Sequence, residues 1–399
     1  MTARGSPSRE GPGTGCRPLA SASVRVCLYD DELAGAFLTF VERVWPGHGR
    51  ARPGEDARSG SRRAAEESPT FLFVKDGEVI GHIATQRVRV WCSGETSTAY
   101  WVVGFMVLPE YRKGPVGPLI IKKVNETLDC AMTLHVEEAA LRVFKGLGWS
   151  HIGVIPQYVR VLNAYRLLSS VRLAGMSFIR AGVRPWSSAL EWAIGYRPVR
   201  LIVALLLSAA FGVRSLRATF RRSELEQTEV GEEAAFDDSY DALWEKVRNR
   251  YEAAVVRDRQ HLECQYGERV RGYRLVACRR RGELQGYCIL KFRRFESDPR
   301  MGNTRLGTIV DCLFDPSSRG VLQLLIDAAA DVCRRERVDA LFCTASHAAV
   351  GGVLLENGFV RIPGTLNFAI HDRVGRVPKD MSVNAWPVMR GDADADANF

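Results

Sequence analysis

Phe105-Met-Val-Leu-Pro-Glu-Tyr-Arg-Lys-Gly-Pro-Val-Gly-Pro-Leu-Ile-Ile121 is the stretch on which the fold turns. The apolar run 101–108 reads as a buried strand, and Pro109 stops it. A basic, glycine-containing turn follows. The spacing of Leu119, Ile120, Val124 and Leu128 then predicts a helix over 118–130. A chain that passes from strand through such a turn into a helix aims unpaired amides and the positive end of a helix dipole at whatever lies beyond. Arg112 and Lys113 add charge there, and Gly114 and Gly117 remove side chains where an anion would approach the backbone. The competing reading is a solvated basic turn that only connects strand to helix.

Upstream, 24–28 reads as a strand and 31–44 as an amphipathic helix, capped by Asp30 or Asp31 and stopped by Pro46. A charged, Gly/Arg-rich stretch over 47–68 reads as a mobile loop. Strand-like residues 71–74 and 79–90 flank Asp76-Gly77, the dipeptide that supplies the positive φ of a hairpin turn. Downstream, 133–136 reads as a further strand and 137–147 as a helix ending at Gly148. The same order recurs. Strands at 273–277 and 286–290 flank Arg281-Gly282, 308–314 repeats the apolar strand before Pro316, and 320–334, 340–344 and 350–357 repeat helix, strand and helix. Phe144-Lys-Gly-Leu-Gly-Trp149 and Leu354-Leu-Glu-Asn-Gly-Phe359 close the two copies alike. Two copies of one α/β unit follow from this order of elements.

Composition narrows the function classes. A formal charge of +9 favours anionic partners without choosing among them. The ten cysteines form no C-x-x-C pair and the seven histidines have no ligand-like spacing. Neither a metal site nor a disulfide framework is expected, and reduced thiols point to the cytoplasm. Residues 1–20 read as a disordered tail. Between the copies, 201–213 carries no charge and is rimmed by Arg197, Arg200, Arg214 and Arg217. It is too short to span a bilayer, which takes roughly 18 residues or more. Two readings remain: a helix packed between the two copies, or an interfacial helix over 197–222 resting on anionic lipid. The acidic run Asp392-Ala-Asp-Ala-Asp396 reads as solvated or docked on arginines. Asp311, alone in an apolar strand, needs either an arginine partner or a substrate-amine or general-base contact.

The quoted stretch resembles the acyl-coenzyme A signature of the GNAT superfamily of N-acetyltransferases, R/Q-x-x-G-x-G/A between a strand and a helix. Arg112 and Gly117 match it; Pro115, which has no N–H to donate, stands at the middle glycine. The family's later helix, A-x-x-x-Y-x-x-x-G-F, is matched by Ala140, Gly148 and Trp149, with Phe144 in place of the tyrosine. The tandem layout resembles a bacterial tandem-GNAT, FemAB-like group. The resemblance implies an α/β (α+β mixed-sheet) protein with an acyl-CoA unit at 21–165, a helical apolar and basic linker at 166–238, and a second unit at 239–399. The second unit's loop, Asp315-Pro-Ser-Ser-Arg-Gly-Val321, is degenerate.

It further implies acetyl-CoA, or another acyl-CoA, held by Met106, Val107, Arg112, Lys113, Gly114, Val116 and Gly117, with no metal. Backbone amide near Met106 or Val107 would polarise the thioester for direct attack by an amine. Phe144 cannot serve as the family's tyrosine acid, which leaves Tyr111, His135 and Asp311 as catalytic candidates. His135 has the ordinary pKa best suited to a base at neutral pH. The expected activity is N-acyl transfer, in first place N-acetyl transfer, to an amino sugar or other small amine, with no nucleic-acid partner. The alternatives are aminoacyl transfer from charged tRNA, or a non-catalytic binding module at a membrane face. The oligomeric state is left open.

Overall fold

The structure is a computed structural model, and it describes residues 23–45, 68–170, 192–206, 209, 228–267, 272–378 and 381–393. The first half runs β1 (Val24–Leu28), α1 (Ala34–Val44), β2 (Phe71–Lys75), β3 (Glu78–Cys92), β4 (Glu95–Val107), α2 (Val116–Thr127), β5 (Cys130–Leu134), α3 (Glu138–Gly146), β6 (Ser150–Val161) and α4 (Ala164–Ser170). The second runs β7 (Thr228–Glu233), α5 (Asp238–Val247), β8 (Ala253–Val255), α6 (Arg259–Tyr266), β9 (Tyr273–Arg280), β10 (Glu283–Arg294), β11 (Arg305–Phe314), α7 (Arg319–Arg335), β12 (Ala340–Thr344), α8 (Ala348–Glu356) and β13 (Val360–Asp372).

Local chemistry accounts for many boundaries. The Asp30 carboxylate accepts from the Leu33 amide at 3.0 Å and starts the turn that leads into α1. Asp76-Gly77 and Arg281-Gly282 both take positive φ, as two-residue hairpins require. A third such turn, Ser93-Gly94, joins β3 to β4, which begins six residues before the expected start at Trp101. Helix α2 starts at Val116 rather than at Pro118, and β5 starts at Cys130 rather than at Thr133. The expected loop over 47–68 and the tail over 1–20 lie outside the described residues, Ser68 apart.

The two halves of the chain repeat details down to single residues. In β3 and β10 a glycine, Gly81 or Gly286, faces Val107 or Phe314 near the end of the central strand. In both, the ladder to the preceding strand bulges one residue before that glycine. A Cβ on Gly81 would come within 2.8 Å of Val116 of α2, and one on Gly286 within 3.0 Å of Val321 of α7. Only glycine lets each helix lie so close to the sheet. Strands β5 and β12 each have five residues, and each leads after three more into a helix of nine. His135 and Val136 therefore correspond to Ala345 and Ser346.

The halves do not form separate sheets. One 13-stranded sheet runs β1-β2-β3-β4-β5-β13-β6-β12-β11-β10-β9-β7, with β8 paired to β3. Each half is completed by the final strand of the other. β13 pairs with β5 (Phe368↔Leu134 to Asp372↔Cys130), and β6 pairs with β12 (Val161↔Ala340 to Gln157↔Thr344). β6 and β13 then pair antiparallel with each other at the centre. Within each half the two parallel strands part. β4 pairs with β5 only over Tyr100 to Val102, and β11 with β12 only over Leu306 to Ile309.

Between the halves, 192–195 and 197–206 are helical, and no described helix is long and apolar enough to cross a membrane. Leu201, Ile202, Leu205 and Leu206 are exposed, Leu206 by 66%. Ala204 of the same helix is buried, so one side of it is covered and the other is not. Most of 207–222 lies outside the described residues.

The C-terminal segment fills the second parting. Met389 bridges to Ala345, the Ser346 amide donates to the Val388 carbonyl at 3.0 Å, and Gln265 donates to the Gly391 carbonyl at 2.9 Å. Trp386 is buried against Phe368 at 5.4 Å between ring centroids. Arg257, only 1% exposed, fastens the segment. Its guanidinium donates to Asp311 at 2.9 Å, to both Asp392 oxygens at 2.7 and 2.8 Å, and to the Pro387 and Val255 carbonyls. Of the readings open for each, Asp311 and Asp392 both take the arginine partner.

Removing one member of a buried ionic cluster strands the others. Arg257→Met is expected to lower unfolding free energy by about 3–5 kcal/mol, because two carboxylates lose their counter-charge. Asp392→Asn is expected to cost less, about 1–2 kcal/mol, since Asp311 still balances Arg257 and the amide oxygen still accepts. Urea unfolding midpoints of the two variants check the order.

Candidate functional site

The opening between β4 and β5 is the candidate site, and a backbone irregularity builds it. Along the β3/β4 ladder His82 faces Met106 and Ala84 faces Val103, so β4 carries one extra residue at Gly104-Phe105. Gly104 takes φ +61, which a side chain resists. The bulge bends β4 and turns its polar groups out of register with β3, on the stretch that has already parted from β5.

At one end of the opening the chain makes a short turn, Pro109–Tyr111, and enters α2. Pro115 stands at the N-cap with no side-chain cap, and no acidic residue lies in the first turn. The amides of Val116 and Gly117 are left uncapped at the positive end of the helix. Lys113 and Gly114 are exposed beside them. Gly117 lies on Phe105, whose ring would be 3.2 Å from a Cβ there. Arg112 is exposed, yet its guanidinium folds back: Nε donates to the Val107 carbonyl at 3.0 Å and Nη2 reaches Met106 Sδ at 3.6 Å. It laces the turn to the end of β4. The seven residues expected to hold a cofactor thus lie on one continuous strand–turn–helix edge.

The far wall is the end of β5. His135 there is exposed, with φ +69. Packing around the imidazole, then Arg390 of the C-terminal segment, hold its pKa below the ordinary histidine value against the opposite pull of Glu137. Phe144 closes the helix side, edge-on to Phe105 at 5.8 Å and to Trp149 at 4.7 Å. A phenylalanine suits that buried place by packing alone. Tyr111 stands apart from His135 in its contacts, its ring engaged by Lys75 Nζ at 5.2 Å. Asp311 lies in the other half, in the ion pair with Arg257. Among the described residues no three His, Cys, Asp or Glu side chains gather as a metal ion would need.

The corresponding turn of the second half is braced by Asp315. The Asp315 carboxylate accepts from the Ser317 amide at 2.9 Å and from its hydroxyl at 2.7 Å, and the Ser318 amide donates to the Asp315 carbonyl at 2.8 Å. The helix that follows, α7, starts at Arg319 with no side-chain cap on Ser318 and no acidic residue in its first turn, as α2 does.

His82 escaped the sequence reading. It lies 4% exposed under the bulge, with its ring 5.5 Å from Phe37 and from Phe40 and 5.8 Å from Trp45. Its Nδ1 is buried without a hydrogen-bond partner. The one available signal was a histidine inside the apolar run Val79-Ile-Gly-His-Ile83.

Burial disfavours the imidazolium and lowers the His82 pKa from 6.5 to about 4. The unfolded chain therefore binds this proton at a pH where the folded chain does not. The contribution is complete above about pH 6.5 and is lost as pH falls towards about 4, amounting to about 3 kcal/mol. His82→Phe is expected to flatten the fall of stability across that window. Urea midpoints measured at a series of pH values check it, and an unchanged slope contradicts it.

No protein-family model matches the sequence, and no curated protein matches it. Solved structures do. A conserved Enterococcus faecalis protein described as a probable N-acyltransferase superposes with a TM-score of 0.55 at 8% identity, over 89% of this chain and 74% of that one. A GCN5-related N-acetyltransferase from Anabaena variabilis gives 0.54 at 11%, over 88% and 73%. Saccharomyces cerevisiae N-myristoyltransferase with bound myristoyl-CoA gives 0.51 at 12%, over 89% and 84%. At these identities the likeness concerns the fold: the mixed α/β architecture is the one these N-acetyl- and N-myristoyltransferases share.

Proposed function

We propose that the chain is an acyl-CoA-dependent N-acyltransferase whose chemistry takes place between β4 and β5. The observation that carries this reading is the bulge at Gly104-Phe105 on a parted strand that leads into an uncapped, basic helix start. The coenzyme's phosphates would lie at the amides of Val116 and Gly117, with Lys113 adding charge. The thioester would lie along β4, its carbonyl polarised by amide near Met106 and Val107. Donors already fixed in place act mainly on the transition state. The amine nitrogen attacks the carbonyl carbon, a C–N bond forms and the C–S bond breaks. The coenzyme leaves as thiolate, and His135 takes the proton that the nitrogen loses. A lowered pKa keeps His135 neutral and ready for that task at neutral pH.

The contact of Phe105 with Phe144 fills the space beyond the opening, which favours a short acyl group such as acetyl. The exposed His135 edge favours a small polar acceptor, an amino sugar among them. The second half is proposed to serve structure rather than transfer, because residues 386–392 fill its parting.

Calorimetric titration with acetyl-CoA tests the reading. Wild-type protein should bind, Lys113→Glu should weaken binding by about tenfold, and Gly117→Trp should abolish it by displacing Phe105. Absence of binding to wild type overturns the proposal.

A peripheral contact with anionic lipid is proposed for the helical residues 197–206, where Leu201, Ile202, Leu205 and Leu206 are exposed next to Arg197 and Arg200. The full chain should float with vesicles containing phosphatidylserine and not with purely zwitterionic ones. Leu205→Asp with Leu206→Asp should abolish flotation.

A further inference from the structure

The two halves place a hydrogen-bond donor at the same point of the sheet and give it different partners. Next to the anchoring glycines Gly81 and Gly286 stand His82 and Tyr287, facing Met106 and Leu313 across the ladder. Both are buried under the first helix of their half: His82 against Phe37 and Phe40 of α1, Tyr287 against Tyr240 of α5 at 5.4 Å. Counting back three residues from Val107 and from Phe314, the central strand carries Gly104 in the first half and Asp311 in the second.

In the second half the donor meets an oxygen of its own chain. Tyr287 Oη lies 3.5 Å from Asp311 Oδ2, and Arg257 holds the other carboxylate oxygen at 2.9 Å. In the first half the oxygen is absent, because glycine has no side chain. The imidazole points to the vacated place all the same: Cε1 and Nε2 lie 3.4 and 3.5 Å from where a Cβ on Gly104 would stand. The opposite nitrogen, Nδ1, is buried without a partner. A buried N–H left unpaired is costlier than an unpaired lone pair, so the favoured tautomer carries its proton on Nε2, the edge that faces Gly104.

We infer that His82 is a catalytic electrophile of the first half, donating its Nε2–H to the oxygen of an acyl thioester bound at the Gly104 bulge. The inference rests on the acyltransferase reading above and adds to it a residue that no sequence motif marks. The ligand's carbonyl oxygen takes the place that the Asp311 carboxylate fills in the other half. The imidazole stays neutral throughout: it transfers no proton and stabilises the charge that gathers on oxygen as the amine attacks. Its burial suits this role and not that of a base, since a group whose pKa lies near 4 holds its Nε2 proton at neutral pH but removes one from an amine poorly.

The experiment is a magnetic-resonance titration of the full chain with acetyl-CoA isotope-labelled at the carbonyl carbon, run beside coenzyme A without the acetyl group. In wild type the His82 Nε2 resonance should be of the protonated kind and should move with acetyl-CoA but not with free coenzyme A. The bound carbonyl resonance should lie downfield of the free compound and return most of the way in His82→Phe, with coenzyme affinity changed less than about threefold. An unprotonated Nε2, or a His82 signal indifferent to the acetyl group while the Met106 amide responds to it, overturns the inference. If His82→Phe does not fold, the wild-type nitrogen spectrum alone decides. Failure of acetyl-CoA to move any resonance sinks the acyltransferase reading instead, so the two failures are told apart.

Discussion

The antiparallel pairing of β6 with β13 is the constraint on which the rest depends. Each strand ends one half of the chain, yet each has its outer edge in the other half: β6 against β12, and β13 against β5. A sheet edge left open exposes a row of unpaired amides and carbonyls. Here each half closes the other's edge, so neither is complete without its partner. The exchange also sets where β4 parts from β5 and β11 from β12, because β5 and β12 are held on their far sides by strands of the opposite half.

From this near-symmetric frame the chain derives two unlike clefts. In the second, residues 386–392 lie in the parting, the Ser346 amide and hydroxyl pair with their backbone, and Arg257 binds two carboxylates at once. Two buried negative charges around one guanidinium are uneven, and the Asp392 carboxyl responds: burial, with Asp311 behind it, pushes its pKa up, while Arg257 pulls against them. The central strand beside the first parting bulges at the left-handed Gly104 and that beside the second at Val310, and the helices that follow both start uncapped. The same sheet geometry is therefore filled by the C-terminal segment on one side and carries the candidate site on the other. The two sides differ on the central strand, which carries Gly104 in one and Asp311 in the other.

The candidate site was partly legible in the sequence. Met106, Val107, Lys113, Gly114, Val116 and Gly117 lie on the edge where the strand–turn–helix pattern put them, because that pattern is local. Arg112 belongs to the same edge, but its guanidinium is spent on the Val107 carbonyl, which no spacing rule announces. Asp311 needed a partner, as a lone carboxylate in an apolar strand does, yet Arg257 lies 54 residues away and Asp392 in the terminal acidic run. His82 was hidden for a different reason. In a strand of apolar neighbours, a histidine under a bulge and a histidine in an ordinary core look the same.

By itself the sequence determined the hairpins, the central strands stopped by proline, the helices that follow, and the fact that the order occurs twice. Each depends on interactions between neighbours in the chain: the φ of Asp76-Gly77, the carboxylate of Asp30, the spacing of α2's apolar face. Only the tertiary structure decided that the halves exchange their last strands, that the C-terminal segment enters one parting and not the other, and that the apolar face at 201–206 stays exposed. Those outcomes turn on which of several chemically similar strand edges meets which. A long apolar strand such as β6 carries no mark of its partner, since backbone hydrogen bonds are alike at every edge and only the packed whole distinguishes them.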